Sequence, residues 1–238
     1  MPSWREDWLH RLTDSVVSED QVFDALTDIT KSMGFEYCSF GVRLPKLGGV
    51  PREHWATTYP LHWQDVYLSH GYMAIDPVID TALHKPLPVV WTDDLFKAQP
   101  AFWEEARAHG VCHGWTMGMH GKGGEMGLIS IARSAGPLSR SELDDIEARL
   151  IWLSHTANSA IASLFSARSS PQHVSELTFR EREVLCWTAA GKTSAEIGII
   201  LGISTRTVNF HITSILFKLD AVNKTQAVVK AVMLNLLS

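Results

Sequence analysis

TSAEIGIILGISTRTVNFHITSILFKL, residues Thr193–Leu219, decides how the last quarter of the chain folds. Thr193-Ser194-Ala195-Glu196 is a capping box: Thr193 and Glu196 satisfy each other's free backbone N–H groups and start a helix. Gly202 stands where that helix should stop. Ser204 is a good N-cap for a second helix running to about Leu219. On it Val208, Ile212, Ile215 and Leu219 recur at helical spacing and make an inward face. Two helices joined by the short turn Leu201-Gly202-Ile203-Ser204 are a helix-turn-helix pattern, whose second helix would enter a DNA major groove. Arg206, Asn209 and Thr213 share another face of it. Arg can donate two bonds to guanine and Asn can pair with adenine. Lys192, Thr207, His211 and Lys224 flank them and could reach phosphates. By spacing alone, a small helical interaction domain with solvated polar faces is just as open.

Outward from this stretch, Thr178-Phe179-Arg180-Glu181 is another capping box, Gly191 marks a helix end, and Asn223 can cap a last helix through Leu237. Four short helices make residues 177–238 a compact all-α domain. Residues 167–176, ARSSPQHVSE, are polar, contain Pro171 and lack apolar periodicity, so they read as a linker. Residues 1–166 are then a first domain. The two parts differ in composition. Residues 1–174 hold 14 basic against 21 acidic residues, and residues 175–238 hold 7 against 5; eight of the nine tryptophans lie in the first part. Two pieces so unlike suggest two different jobs.

The first domain mixes patterns. Ser18-Glu19-Asp20-Gln21 is a capping box opening a helix that ends near Gly34, and Ser139-Arg140-Ser141-Glu142 opens a long one. Along the latter, Leu143, Ile146, Leu150, Leu153, Ala157 and Ile161 form an apolar stripe, a candidate dimer surface or equally an internal core. Strand candidates are Tyr37–Leu44, Trp55–Tyr59, Val89–Trp91, Gly114–His120 and Met126–Ala132, the last two joined as a hairpin by Gly121–Gly124. Helices are expected at Pro60–Ser69, Pro77–His84 and Pro100–His109. This predicts an α+β fold: an antiparallel sheet with helices on both faces, an α/β/α sandwich, followed by the four-helix domain.

Composition excludes other classes. With 238 residues, 45% apolar and 20% charged, the chain can bury a core and is not a disordered or low-complexity polymer. No apolar run approaches the ~20 residues that span a bilayer, and no signal-peptide pattern opens the chain, so no membrane partner is expected. Cys38, Cys112 and Cys186 are odd in number and scattered, which fits a reducing cytoplasm rather than a disulfide framework. His109 and His113 flank Cys112, but Gly110 breaks the helix that would align them, so no metal site is expected. Gly191-Lys192-Thr193 has Cys186 where a phosphate-binding loop needs glycine. No nucleophile elbow or other catalytic constellation is present, so no enzyme and no cofactor are expected.

The C-terminal stretch resembles the DNA-binding domain of the LuxR family. Glu181 in REREVL, Gly191-Lys192-Thr193, the EIG triplet, Ser204-x-Arg206-Thr207-Val208, Lys218-Leu219 and Asn223-Lys224 carry the resemblance, which covers essentially the whole small domain. The first domain, over roughly residues 20–165, resembles the ligand-binding domain of acyl-homoserine-lactone receptors. Tyr59-Pro60, Trp63, Tyr67, Ile75-Asp76-Pro77, Val90-Trp91, Gly114 and Gly127-Leu128-Ile129-Ser130 match in order. The resemblance implies an N-acyl-homoserine lactone as signal, double-stranded DNA with an inverted repeat as target, and a homodimer.

The ligand's chemistry explains these residue types. Trp63 offers an indole N–H, a donor only, for the ring carbonyl. An ionised Asp76 accepts from the amide N–H; Tyr59 can donate to the amide carbonyl, with Ser130 as a second donor. Tyr67 and Trp91 offer apolar faces to tail and ring. Asp76-Pro77 reads equally as an N-cap with proline at the first helical position, and one carboxylate oxygen could serve each role. The whole chain therefore reads as a quorum-sensing transcriptional regulator. A LuxR-type regulator that answers a non-lactone signal, or none, is the alternative.

Overall fold

The computed structural model describes residues 3–14, 16–45, 50–121, 124–168, 176–234 and 236–237. Their contacts fall into two units, one ending at Arg168 and one after it. Of the expected linker, residues 169–175 lie outside the described residues. Positions 167 and 168 continue the long helix instead, since no helix breaker precedes Pro171.

The first unit runs α1 (Trp4–Leu9), a π-helical turn (His10–Asp14), α2 (Glu19–Ser32), β1 (Tyr37–Leu44), β2 (Arg52–Thr57), α3 (Leu61–Ser69), a 3-10 turn (Tyr72–Ala74), α4 (Pro77–His84), β3 (Val89–Val90), α5 (Pro100–Ala108), β4 (His113–His120), β5 (Met126–Arg133) and α6 (Arg140–Arg168). The strands form one antiparallel sheet in the order β2-β1-β5-β4-β3. The sequence points to all five strands, but β2 begins and ends earlier than Trp55–Tyr59. It pairs with β1 from Arg52 to Thr57, and Pro60 then starts the entry to α3. Residues 122–123 of the glycine turn lie outside the described residues; Gly121 N–H donates to Glu125 O at 2.9 Å where the hairpin closes. Helix α1 escaped the sequence reading, although Ser3 and Glu6 form a complete capping box at its start. Its six residues are too few to show a period, and Trp4 and Trp8 meet Trp152 of α6 only in space.

Two capping boxes form only by half. Ser18 accepts from Gln21 N–H, but the Gln21 side chain turns to Val17 N–H at 2.7 Å. Ser139 accepts from Glu142 N–H, but the Glu142 carboxylate takes a two-pronged bond from Arg133 at 2.6 and 2.8 Å. A charge-assisted fork outcompetes a neutral backbone N–H.

The sheet separates two cores because successive side chains point to opposite faces. Cys38, Phe40, Val42, Trp115, Met117, Met119, Ile129 and Ile131 pack against α2 and α6. The apolar stripe of α6 belongs to this core: Leu150, Leu153, Ala157 and Ile161 are fully buried, so it is internal packing and not a free dimer surface. The other face carries Ser39, Gly41, Gly114, Thr116, Gly118, Leu128, Ser130 and Ala132, nearly all small. Helices α3, α4 and α5 cover it with Trp63, Val78, Phe102 and Trp103. Large residues thus fill one side, and small ones leave room on the other.

The second unit is four helices: α7 (Phe179–Ala189), α8 (Ser194–Leu201), α9 (Thr205–Lys218) and α10 (Lys224–Met233). The Thr178–Glu181 and Thr193–Glu196 boxes are both complete. Gly202 takes φ +67°, a left-handed value that suits glycine, and α9 leaves α8 at 109°. Val208, Ile212, Ile215 and Leu219 face a core with Val184, Leu185, Ile197, Ala227 and Ala231. Helix α10 stops at Met233, short of Leu237, because Leu236 N–H folds back to Ala231 O and brings both leucines against that core.

Candidate functional site

Helix α3 sets Trp63 and Tyr67 one turn apart, with ring centroids 5.7 Å from each other. Trp63 is 3% exposed. Asp76 is the N-cap of α4: its Oδ1 accepts from Val78 N–H at 2.8 Å, and its Oδ2 accepts from the Tyr67 hydroxyl at 2.9 Å. Tyr67 is therefore not only an apolar face; its hydroxyl aims the carboxylate. Burial pushes the Asp76 carboxyl above its ordinary value, and the bonds from Val78 and Tyr67 draw it back. Burial, then the nearby Asp76 charge, pushes the hydroxyls of Tyr59 and Tyr67 up, so both remain O–H donors. Tyr59 leans on Tyr37, with centroids 5.9 Å apart, and its carbonyl accepts from Gln64 Nε2.

Trp91 follows β3 and lies on β4, where a Cβ on Gly114 would stand 2.5 Å from its ring. Its indole N–H donates to Thr116 Oγ1 at 2.9 Å, and the Thr116 hydroxyl donates to Ser130 Oγ at 2.9 Å. Thr116 is fully buried and Ser130 is 7% exposed. The structure thus brings Tyr59, Trp63, Tyr67, Asp76, Trp91 and Ser130 to one side of the sheet, in contact with Phe96, Phe102 and Trp103. Sequence reasoning missed Thr116 and those three aromatics. Thr116 had one signal, a polar residue alternating with glycines in an otherwise apolar strand. Among the described residues the hydroxyl of Tyr59, the indole N–H of Trp63 and the proton of Ser130 have no protein acceptor, and the Asp76 oxygens keep lone pairs beyond their two bonds.

A separate groove of about 670 Å³ runs between the N-terminal turns and α6, lined by Leu9, Leu12, Val16, Trp152, His155 and Ala160 among others. Leu12 and Ala160 belong to the other core, so the groove and Asp76 are on opposite sides of the sheet. Its size does not make it the site, because the convergent polar groups are around Asp76.

In the second unit, Arg206 and Asn209 are exposed on α9 with their heads unengaged among the described residues. Thr213 is exposed, but its hydroxyl donates back to Asn209 O, which leaves a methyl and lone pairs outward. Thr207 bonds the Ser204 hydroxyl at 2.8 Å within the cap, and half-buried His211 lies beside the Phe210 ring. Lys192 is exposed before α8. Lys224 Nζ donates to Ser194 Oγ at 3.2 Å and so ties α10 to the start of α8. Helix α9 is held from behind by Glu181, which is 4% exposed and accepts from Ser214 Oγ at 2.6 Å and Lys218 Nζ at 2.7 Å. Burial pushes the Glu181 carboxyl up, but the bonds from Lys218, Ser214 and Thr178 outweigh it and hold it at about 2. Arg180 Nη2 caps the far end of α8 at Leu201 O.

Comparison with known proteins agrees with both halves. Residues 18–161 match the autoinducer binding domain, and residues 175–231 match the bacterial regulatory proteins of the luxR family. The chain is 37% identical over 239 residues to the transcriptional activator protein AnoR of Acinetobacter nosocomialis, covering all of both. It is 37% identical to the quorum-sensing regulator RhlR of Pseudomonas aeruginosa, covering 91% of this chain and 89% of the other. Among solved structures, SdiA of Escherichia coli superposes with a TM-score of 0.71 at 31% identity, covering 99% of this chain and 98% of that one. SdiA in complex with octanoyl-rac-glycerol gives 0.68 at 32%, covering 97% and 96%. An autoinducer-binding sheet domain followed by a helix-turn-helix domain makes this chain a member of the LuxR family of bacterial regulatory proteins, with the build of a quorum-sensing transcription regulator.

Proposed function

We propose that the signal is an N-acyl-homoserine lactone and that it docks around Asp76. One observation carries this. Three donors without protein acceptors among the described residues, Tyr59, Trp63 and Ser130, share one side of the sheet with a carboxylate that retains lone pairs. A lactone amide offers the complement, two carbonyl oxygens and one N–H. Trp63 donates to the ring carbonyl, Asp76 accepts from the amide N–H, and Tyr59 with Ser130 donates to the amide carbonyl. Tyr67 and Trp91 wall the ring and tail. The protein acts as a binder, with no catalytic step and no cofactor. Residues 1–168, to the end of α6, are the sensor, 169–176 the linker and 177–238 the DNA-binding domain.

The DNA is read by Arg206, Asn209 and Thr213 at base edges, with Lys192, Thr207, His211 and Lys224 toward phosphates. Residues 175–238 carry only two more basic than acidic residues, so one copy should bind weakly. A homodimer on an inverted repeat places two reading helices about one DNA turn, ~34 Å, apart and raises affinity through effective concentration. Such a regulator works in the cytoplasm.

A second reading has one specific support: the related SdiA has been solved with an octanoyl glycerol. An acylglycerol offers an ester carbonyl but no amide N–H. Calorimetric titration of the parent chain and Asp76→Ser with lactones and with octanoyl glycerol decides between them. Lactone binding that depends on Asp76 supports the first. Glycerol binding without lactone binding establishes the second.

A further inference from the structure

We propose that Thr116 is a positioning residue that fixes Ser130 as a hydrogen-bond donor toward the ligand, so that the site selects a carbonyl oxygen at that point. This rests on the reading of the pocket given above.

A serine hydroxyl is ambivalent: it donates or accepts as its rotor turns. The chain ending at Ser130 is not. Its first member, the Trp91 indole, can only donate, so Thr116 Oγ1 must accept. The single Thr116 proton goes to Ser130 Oγ, 2.9 Å away. Ser130 is then occupied as an acceptor, and its own proton must point elsewhere. Among the described residues no protein group receives it. Ser39, directly opposite on β1, makes no side-chain bond to it.

The polarity cannot easily reverse. The Trp91 ring lies flat on Gly114 and packs edge-on against Phe96 and Trp103, with centroids 6.2 and 6.3 Å away. Thr116 is wholly buried, so bulk water has no access with which to re-orient its hydroxyl. Successive bonds in such a chain also polarise one another, which strengthens the terminal donor. Ser130 therefore offers its proton to a ligand oxygen, while an N–H placed there would find only the one lone pair that Thr116 leaves free.

The test uses the full chain and the tightest-binding member of a panel of lactones from butanoyl to dodecanoyl. Ser130→Ala and Thr116→Val should each weaken binding by roughly tenfold, and the double variant should lose no more than either alone. Thr116→Ser, which keeps the hydroxyl, should restore binding to within about twofold of the parent. Losses that multiply in the double variant, or a Thr116→Ser as weak as Thr116→Val, overturn the proposal. If Thr116→Val does not fold, Thr116→Ala replaces it in the same cycle with Ser130→Ala, and multiplying losses again overturn it. The free protein gives an independent readout, the indole N–H resonance of Trp91. It should move upfield and exchange faster in Thr116→Val but not in Thr116→Ser. A parent chain that binds no lactone defeats the reading of the pocket, and an indole resonance unmoved by Thr116→Val then overturns the chain itself.

Discussion

The Tyr67 hydroxyl holds Asp76 Oδ2 at 2.9 Å while Oδ1 of the same carboxylate caps α4 through Val78. The cap and the Tyr67 bond thus fall on different oxygens of one group, so the cap can be kept while the carboxylate is removed. Asp76→Ser keeps an N-cap oxygen and removes the acceptor. It should leave α4 intact and cost on the order of 2 kcal/mol of lactone affinity, about thirtyfold. Asp76→Ser binding like the parent in a calorimeter would sink the contact.

Tyr67→Phe leaves the cap untouched and removes one of the bonds that draw the Asp76 carboxyl down. The proposed bond from the ligand N–H needs the ionised carboxylate, so affinity should fall as pH falls through the Asp76 value. Without Tyr67 that value lies higher still, and the fall should begin at a higher pH. Lactone titrations from weakly acidic to neutral pH, parent beside variant, read the difference. Curves that coincide would mean that Tyr67 does not tune the site.

Glu181 ties α9 to α7, and its folded-state value of about 2 lies below the ordinary 4.5. A depressed carboxyl contributes stability above its unfolded value and loses it as pH falls toward the folded one. The second unit should therefore lose about 3 kcal/mol between pH 4.5 and 2. In Glu181→Gln that acid dependence should shrink. Amide hydrogen exchange along α9 as a function of pH measures it, and equal pH slopes in both proteins would refute the assignment.

On DNA, Arg206→Ala and Asn209→Ala should relax preference at single operator positions. Lys192→Ala should weaken binding on every sequence and flatten the salt dependence by about one unit of slope. Lys224→Ala should also lower stability, because its ammonium bonds Ser194. Gel shifts on base-substituted operators at several salt concentrations separate these outcomes. A uniform loss for Asn209→Ala would assign it to phosphate.

Ligand should stabilise the first unit only. A lactone that binds the folded sensor and not the unfolded one adds roughly 2.7 kcal/mol at ~100 times its Kd, a rise of several degrees in Tm. Eight of the nine tryptophans report on that unit. Tryptophan fluorescence during thermal unfolding should show the shift, while the α9 amides should not move. An unshifted first transition in saturating lactone argues for a regulator that needs no ligand.

Local rules written in single segments were enough for much of this protein. The N-caps Thr178, Thr193, Ser204, Asn223 and Asp76 act where the sequence places them, because a cap needs only its own next three residues. The strand segments and the inward face of α9 are local in the same way, and with them came the two-part fold and the family. What tertiary structure alone decided are relations between distant segments. Glu142 left its box for the fork of Arg133 on β5, whereas Gln21 only moved to the neighbouring Val17 N–H, a local exchange. The α6 stripe could have faced a second copy, and only the sheet behind it made it core. Thr116 became part of the site because antiparallel register sets it beside Ser130 while Trp91 closes over Gly114 from another strand. Side-chain hydrogen bonds depend on ångström distances between residues far apart in sequence, and no periodicity along one segment encodes those distances.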